Sequence, residues 1–149
     1  MRPVLVALLV LGLGPGLAGC QQSAEQKREE YCAAVAEEGS ELTRIADEAG
    51  PAGFLQALPI LEGLAARAPS DVRDEWQTFL DALHGLRDAL EESGVDPEAM
   101  GEEGLPEGLS RAERRRVRAQ ASVLASGDVV AATQGIEQHA LDVCRTPIL

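Results

Sequence analysis

Apolar residues recur three and four positions apart along most of this chain, and nowhere do they alternate with polar ones over four or more residues. That is the period of amphipathic helices, so the predicted fold class is all-α. From about Ala24 to Ala49, Cys32, Val35, Leu42, Ile45 and Ala49 share one face, while Glu29, Glu30, Glu37, Glu38 and Glu48 load the other. Gly39-Ser40 offers this helix a place to bend, and Gly50-Pro51 ends it. A second stripe of Phe54, Leu55, Leu58, Leu61, Leu64 and Ala65 contains Pro59. Proline removes an amide donor and crowds the preceding turn, so a kink or two abutting short helices is predicted. In the third stripe Ser70 is the expected N-cap, Asp71 and Asp74 suit the first turn, and Val72, Trp76, Phe79, Leu80, Leu83, Leu86 and Leu90 repeat until Gly94.

Residues 95–109 change character, with Pro97, Gly101, Gly104, Pro106 and Gly108 set among acids, and are read as an acidic linker inside one domain. Ser110 with Glu113 forms a capping box opening a fourth helix, whose inner face is Val117, Ala121 and Leu124. Gly127-Asp128 opens the last, with Val129, Thr133, Ile136, Ala140 and Val143 inward. Gly135 in its middle weakens the helix and is expected to let a neighbour approach closely. Short connections then place these stripes side by side as an antiparallel bundle of four to five helices.

The first 20 residues follow other rules: Met1-Arg2 is a positive start, Val4 to Leu13 an apolar run, and Gly14-Pro15-Gly16 a break before Leu17-Ala18-Gly19-Cys20. This is the layout of an export signal. It is too short for a membrane span of about 20 apolar residues. Its closing four residues resemble the lipobox of bacterial lipoproteins. The resemblance implies cleavage after Gly19 and a diacylglyceryl group on Cys20, which supplies the two chains that stable anchoring needs. Secretion without lipid, which also cleaves after small residues, is the alternative. The expected organisation is a cleaved signal peptide over 1–19, a lipidated cysteine and spacer over 20–24, and a helical domain over 25–149.

The chain carries a net charge of −12; without Arg2 it has 25 acidic residues against 12 basic, a net of −13. Such acidity disfavours nucleic acid as a partner. Trp76, Tyr31, Phe54 and Phe79 are the only aromatics, too few for a base-stacking platform. With Cys20 assigned to lipid, Cys32 and Cys144 remain as an even pair, and outside the cell an even pair implies a disulfide. The chain-entropy estimate for closing a loop of about 100 residues is roughly 4.7 kcal/mol.

Candidate chemistry is sparse. Asp81, His84 and Asp88 share one helical face, but structural zinc needs four ligands and His139 is the only other histidine, so a solvated polar face is the preferred reading. A calcium loop starting at Asp96 would find glycine at its sixth position as Gly101 and Glu107 at its twelfth, but Met100 takes a ligand position and Pro97 and Pro106 disfavour the geometry. No phosphate loop, nucleophile elbow or His-Glu-x-x-His sequence occurs, so no catalytic, cofactor or metal residue is assigned. Arg111, Arg114, Arg115, Arg116 and Arg118 stand out, because Gln21 to Gly108 has 6 basic and 21 acidic residues, whereas Leu109 to Leu149 has 6 basic and 4 acidic. The cluster is either a patch for lipid headgroups or an anionic wall polymer, or internal charge balance against the acidic faces of the first and third helices. The second reading is preferred here.

Leu17 to Cys20, Tyr31-Cys32, Ala57 to Leu61, Ala68 to Leu80, Gly108 to Ser110 and Leu141 to Cys144 together resemble small secreted or lipid-anchored helical proteins of high-GC actinobacteria. That group supplies no activity to carry over. The expectation is a non-enzymatic protein, anchored at Cys20 on the extracytoplasmic face of the cell membrane, that binds an envelope protein or polymer. The alternative is a carrier in which Phe54, Leu58, Trp76, Leu80 and Leu83 line an interhelical pocket for a small apolar ligand.

Overall fold

A computed structural model describes residues 22–49, 53–97 and 105–148. The proposed leader, Cys20, the Gly50-Pro51 stop and the middle of the acidic linker lie outside the described residues, as does the side chain of Ala49. Among the described residues six helices follow in order: α1 (Ala24–Ala49), α2 (Gly53–Gln56), α3 (Leu58–Arg67), α4 (Arg73–Glu91), α5 (Arg111–Leu124) and α6 (Gly127–His139), the last running into a π-helical turn, Ala140–Cys144. All regular structure among the described residues is helical, with no strand, and none of these helices is long and apolar enough to cross a membrane.

Local signals place most boundaries. Ser23 and Gln26 cap α1 reciprocally, the Gln26 amide donating to Ser23 Oγ at 3.1 Å and the Ser23 amide to Gln26 Oε1 at 2.9 Å. The helix continues through Gly39-Ser40 without a break. Pro59 sits in the first turn of α3, where its missing N–H costs nothing, so the second stripe becomes two abutting helices. At α5 the predicted capping box forms: the Glu113 amide donates to Ser110 Oγ at 3.2 Å, and Glu113 Oε2 accepts from the Ser110 amide at 2.7 Å. Those hydrogen bonds hold the Glu113 carboxyl below the usual carboxylate range. Gly94, at φ 69°, lets Val95 N–H reach back to Leu90 O at 2.9 Å and ends α4.

Three expectations need correction. Ser70 does not cap α4, because residues after Pro69 make one more turn, Val72 N–H donating to Pro69 O at 3.3 Å, and the helix starts at Arg73 with Val72 in the cap position. Val72 is 2 % exposed, and its burial overrides the serine's capping preference. Ala121 is exposed, leaving Val117 as the one fully buried residue of α5. The described bundle has six helices and not four to five, and its last two are not side by side.

The reason is the long helix α4. Arg116 on α5 pairs with Glu92, and a Cβ on Gly85 would strike Gln120 at 2.8 Å, so α5 runs antiparallel along the C-terminal half of α4. A Cβ on Gly135 would lie 3.1 Å from Glu75 Cγ, and His139 Nε2 lies 3.4 Å from Asp71 Oδ2, so α6 runs antiparallel along the N-terminal half. Thus α5 and α6 follow one another along α4, separated by the turn in which Ser126 caps α6 through Val129 N–H. The close approach expected at Gly135 is present. Two apolar clusters result. The larger joins Tyr31, Val35, Leu42 and Ile45 of α1 to Leu61, Leu64, Trp76, Phe79, Leu83, Ile136, Ala140 and Ile148; the smaller holds Leu55, Ala89, Leu90, Val95 and Val117, with Leu105 and Leu109 packed on it. The described ends of the acidic linker are therefore tied to the second cluster.

Cys32 and Cys144 are joined by a disulfide, linking the third turn of α1 to the π-helical turn. Replacing both (Cys32→Ser with Cys144→Ser) is expected to lower stability by about 2–5 kcal/mol in chemical denaturation. The reduced wild type should match the double variant, and an unchanged midpoint would show that the bond contributes nothing.

Candidate functional site

The polar centre of the larger cluster is a pair of aromatics. Trp76 is 1 % exposed and Tyr31 fully buried, so neither polar tip can reach water. They satisfy each other, Trp76 Nε1–H donating to Tyr31 OH at 3.2 Å. Burial pushes the Tyr31 phenol above its ordinary range, the Trp76 hydrogen bond works in the opposite direction, and the Glu137 carboxylate adds to the rise. Phe79 follows one turn after Trp76, with ring centroids 6.5 Å apart, and takes the edge of Phe54 at 5.6 Å.

Trp76 and Phe79 form part of the floor of a groove of about 560 Å³ that opens to solvent. Leu61 of α3, Ile136 of α6 and Ile148 complete the apolar floor, while Thr133, Gln134, Glu137 and Gln138 of α6 make the polar rim. Three devices place the segment after α6 in this wall. The disulfide fixes Cys144, Arg145 turns the backbone through the left-handed region at φ 60°, and Glu137 Oε2 accepts from the Ile148 amide at 3.1 Å. Ile148 is 3 % exposed, so this segment is part of the core.

Of the five residues expected to line a carrier pocket, only Trp76 lines this groove. Leu58 and Leu83 are packed inside the larger cluster, Leu80 is partly buried against it, and Phe54 is 36 % exposed. The sequence did hold a signal for the α6 wall. Thr133, Ile136 and Glu137 lie one turn apart beside Gly135, whose missing side chain draws α6 onto α4.

The histidines go to separate partners. His84 Nε2 lies 2.7 Å from Glu62 Oε1 of α3, while Asp88 is paired with Arg87, so the Asp81-His84-Asp88 face does not converge. His139 has both ring nitrogens buried without a hydrogen bond; Nε2 is 3.4 Å from Asp71 Oδ2, an electrostatic contact lacking hydrogen-bond geometry, and the ring meets Tyr31 edge-on at 5.7 Å. Among the described residues no three His, Cys, Asp or Glu side chains are grouped to hold a metal ion.

The arginine cluster divides. Arg116 pairs with Glu92 at 3.1 Å, and Arg114 donates to the carbonyls of Leu109 and Pro106 at 3.3 and 3.1 Å, bracing the loop before α5. Arg111, Arg115 and Arg118 are exposed, and their side chains make no hydrogen bond or ion pair among the described residues. Charge balance accounts for Arg116 alone. The chain matches no protein family, no curated protein and no solved structure.

Tyr31 is the only tyrosine, which makes its titration directly visible. Its raised folded value means that the stability linked to it is fully present below about pH 10, where unfolded tyrosine begins to ionise, and is lost as pH climbs through the folded value. Tyrosinate absorbance should therefore rise at higher pH in the folded protein than in denaturant. Coincident curves would contradict the burial of the phenol.

Proposed function

We propose that the protein is a lipid-tethered binding module on the extracytoplasmic face of the cell membrane, working without covalent chemistry, and that its groove receives an apolar group of its partner. The observation that carries this is an apolar floor of Leu61, Trp76, Phe79, Ile136 and Ile148 under a rim of amides, a hydroxyl and one carboxylate. Recognition sites combine these elements, apolar area providing affinity and a few polar groups providing orientation. The tether rests on the lipobox-like Leu17 to Cys20, and it agrees with a disulfide that an oxidising compartment would maintain.

A second reading, carriage of a small apolar molecule, is favoured by volume, since about 560 Å³ falls inside the roughly 300–1,000 Å³ range of small-molecule sites. Access to solvent along one side favours a group presented by a larger partner. Native mass spectrometry of protein taken directly from cells separates the two, because a retained small apolar molecule supports the carrier.

Titration with the apolar dye N-phenyl-1-naphthylamine should give saturable one-site fluorescence enhancement. Gln134→Phe, which places an aromatic ring on an exposed position of the rim, should weaken it by at least tenfold with helicity unchanged. Equal binding by both proteins would remove the groove from the proposal. Independently, the mature amino terminus should be Cys20 carrying a diacylglyceryl mass, and Cys20→Ala should leave the membrane fraction. An unmodified terminus, or retention of Met1, would end the tether reading.

A further inference from the structure

The three arginines whose side chains have no partner among the described residues stand at positions 111, 115 and 118, spacings of four and three that put them on one stripe of α5. The stripe is roughly 10 Å long at about 1.5 Å of rise per residue. Its composition runs against local preference. Arg111 occupies the first position of the helix, where the backbone dipole favours anions, and Arg115 lies one turn further on. Nor is the helix held there by apolar packing of these residues, since Val117 is its only fully buried side chain. Features that break a local rule without structural return are where function is expected.

Among the described residues, the acids of the same chain do not answer this charge. The acidic faces of α1 do not reach α5, and the one ion pair between α5 and the end of α4 among the described residues joins Arg116 to Glu92. The surface therefore keeps a positive stripe on a body of net charge −12. Guanidinium groups bind phosphate through paired N–H donors, and three in a row suit a ligand that repeats its anion along its length.

Position in the bundle selects between a membrane and a polymer. Tyr31, in the second turn of α1, meets Trp76 at the start of α4, whereas the stripe lies beside Glu92 and Leu90 at the far end of α4. Helical rise along α4 and the first turns of α1 puts the stripe on the order of 30 Å from the start of α1. A tether just before that start leaves the stripe well beyond the Debye length of about 8–10 Å from the headgroups when the bundle stands on its tether.

We infer that Arg111, Arg115 and Arg118 form a binding site for a linear phosphate-bearing polymer of the cell envelope. The inference rests on the tethered-module reading for the source of its ligand and on α5 alone for the chemistry. Inorganic polyphosphate labelled at one end serves as the probe, with fluorescence anisotropy as the readout on the full chain in detergent. The wild type should bind with a salt dependence of about two in log K per log salt, as three phosphate contacts require. Arg111→Gln, Arg115→Gln and Arg118→Gln together should weaken binding at least tenfold and flatten that slope, while Arg116→Gln should not. All three positions are exposed, so the melting temperature should hold. Replacement of the same three by lysine should restore the salt slope but only part of the affinity.

Binding unchanged in the triple glutamine variant would overturn the inference. So would stripe-dependent binding to phosphatidylglycerol vesicles that exceeds polyphosphate, which would make the surface a membrane contact. Tighter binding to a single-stranded oligonucleotide than to polyphosphate would also overturn it. Dye binding in the groove and the mass of the amino terminus are read separately, so the stripe can fail while the tethered module stands.

Discussion

The burial of α4 sets the positions of everything else. Its sequence is apolar over more than one face: Trp76, Phe79 and Leu83 enter one cluster, Ala89 and Leu90 the other. No single neighbouring helix can cover both. The chain answers with α2 and α3 against one side, α1 packed in turn on those two, and α5 followed by α6 along the other, and the two clusters meet at this helix. Trp76 is the most constrained point, since an indole N–H with no water access would cost roughly 1–3 kcal/mol if left unpaired. Tyr31 provides the acceptor, and in doing so ties α1 to α4 through the core.

Short-range chemistry was the legible part of this fold. Pro59 announced the break between α2 and α3, Ser110 and Glu113 the start of α5, Gly94 the end of α4, and Gly135 a close helix approach, because each of those effects acts within a turn or through a missing side chain. With Cys20 set aside as the lipobox cysteine, the two cysteines left were enough to pair 32 with 144. The failures all needed distance. Whether Ser70 or Val72 begins α4 depends on what buries Val72, and no local rule contains that. That α5 and α6 run in succession along α4 depends on α4 being long enough to seat both. The groove was missed for the same reason: its wall is completed by Ile148, far in sequence from Leu61 and Trp76.

Charge follows a related logic. An acidic chain that folds with its arginines inside its acidic faces would show dense ion pairing, and here pairing is mostly within a turn, as with Arg44 between Glu41 and Glu48. Exposed pairs of that kind contribute little to stability. Within the basic stretch, Arg114 braces the loop before α5, Arg116 ties α5 to the end of α4, and the remaining three face solvent. Composition could reveal the cluster but not this division, which depends on where α5 lands.

The disulfide bears directly on the groove. Residues Arg145 to Ile148 belong to no helix, so no ladder of backbone hydrogen bonds holds them. Their order comes from the bond to α1, the left-handed turn at Arg145 and the hydrogen bond that Glu137 accepts from Ile148. Ile148 in turn closes one wall of the groove. A thiol pair kept reduced would leave that wall held by the hydrogen bond at the rim, a local one from Thr146 Oγ1 to the Cys144 carbonyl, and one buried side chain. On the proposed tethered reading, export, oxidation and a formed groove become steps of one sequence, since a disulfide of this kind persists in an oxidising compartment.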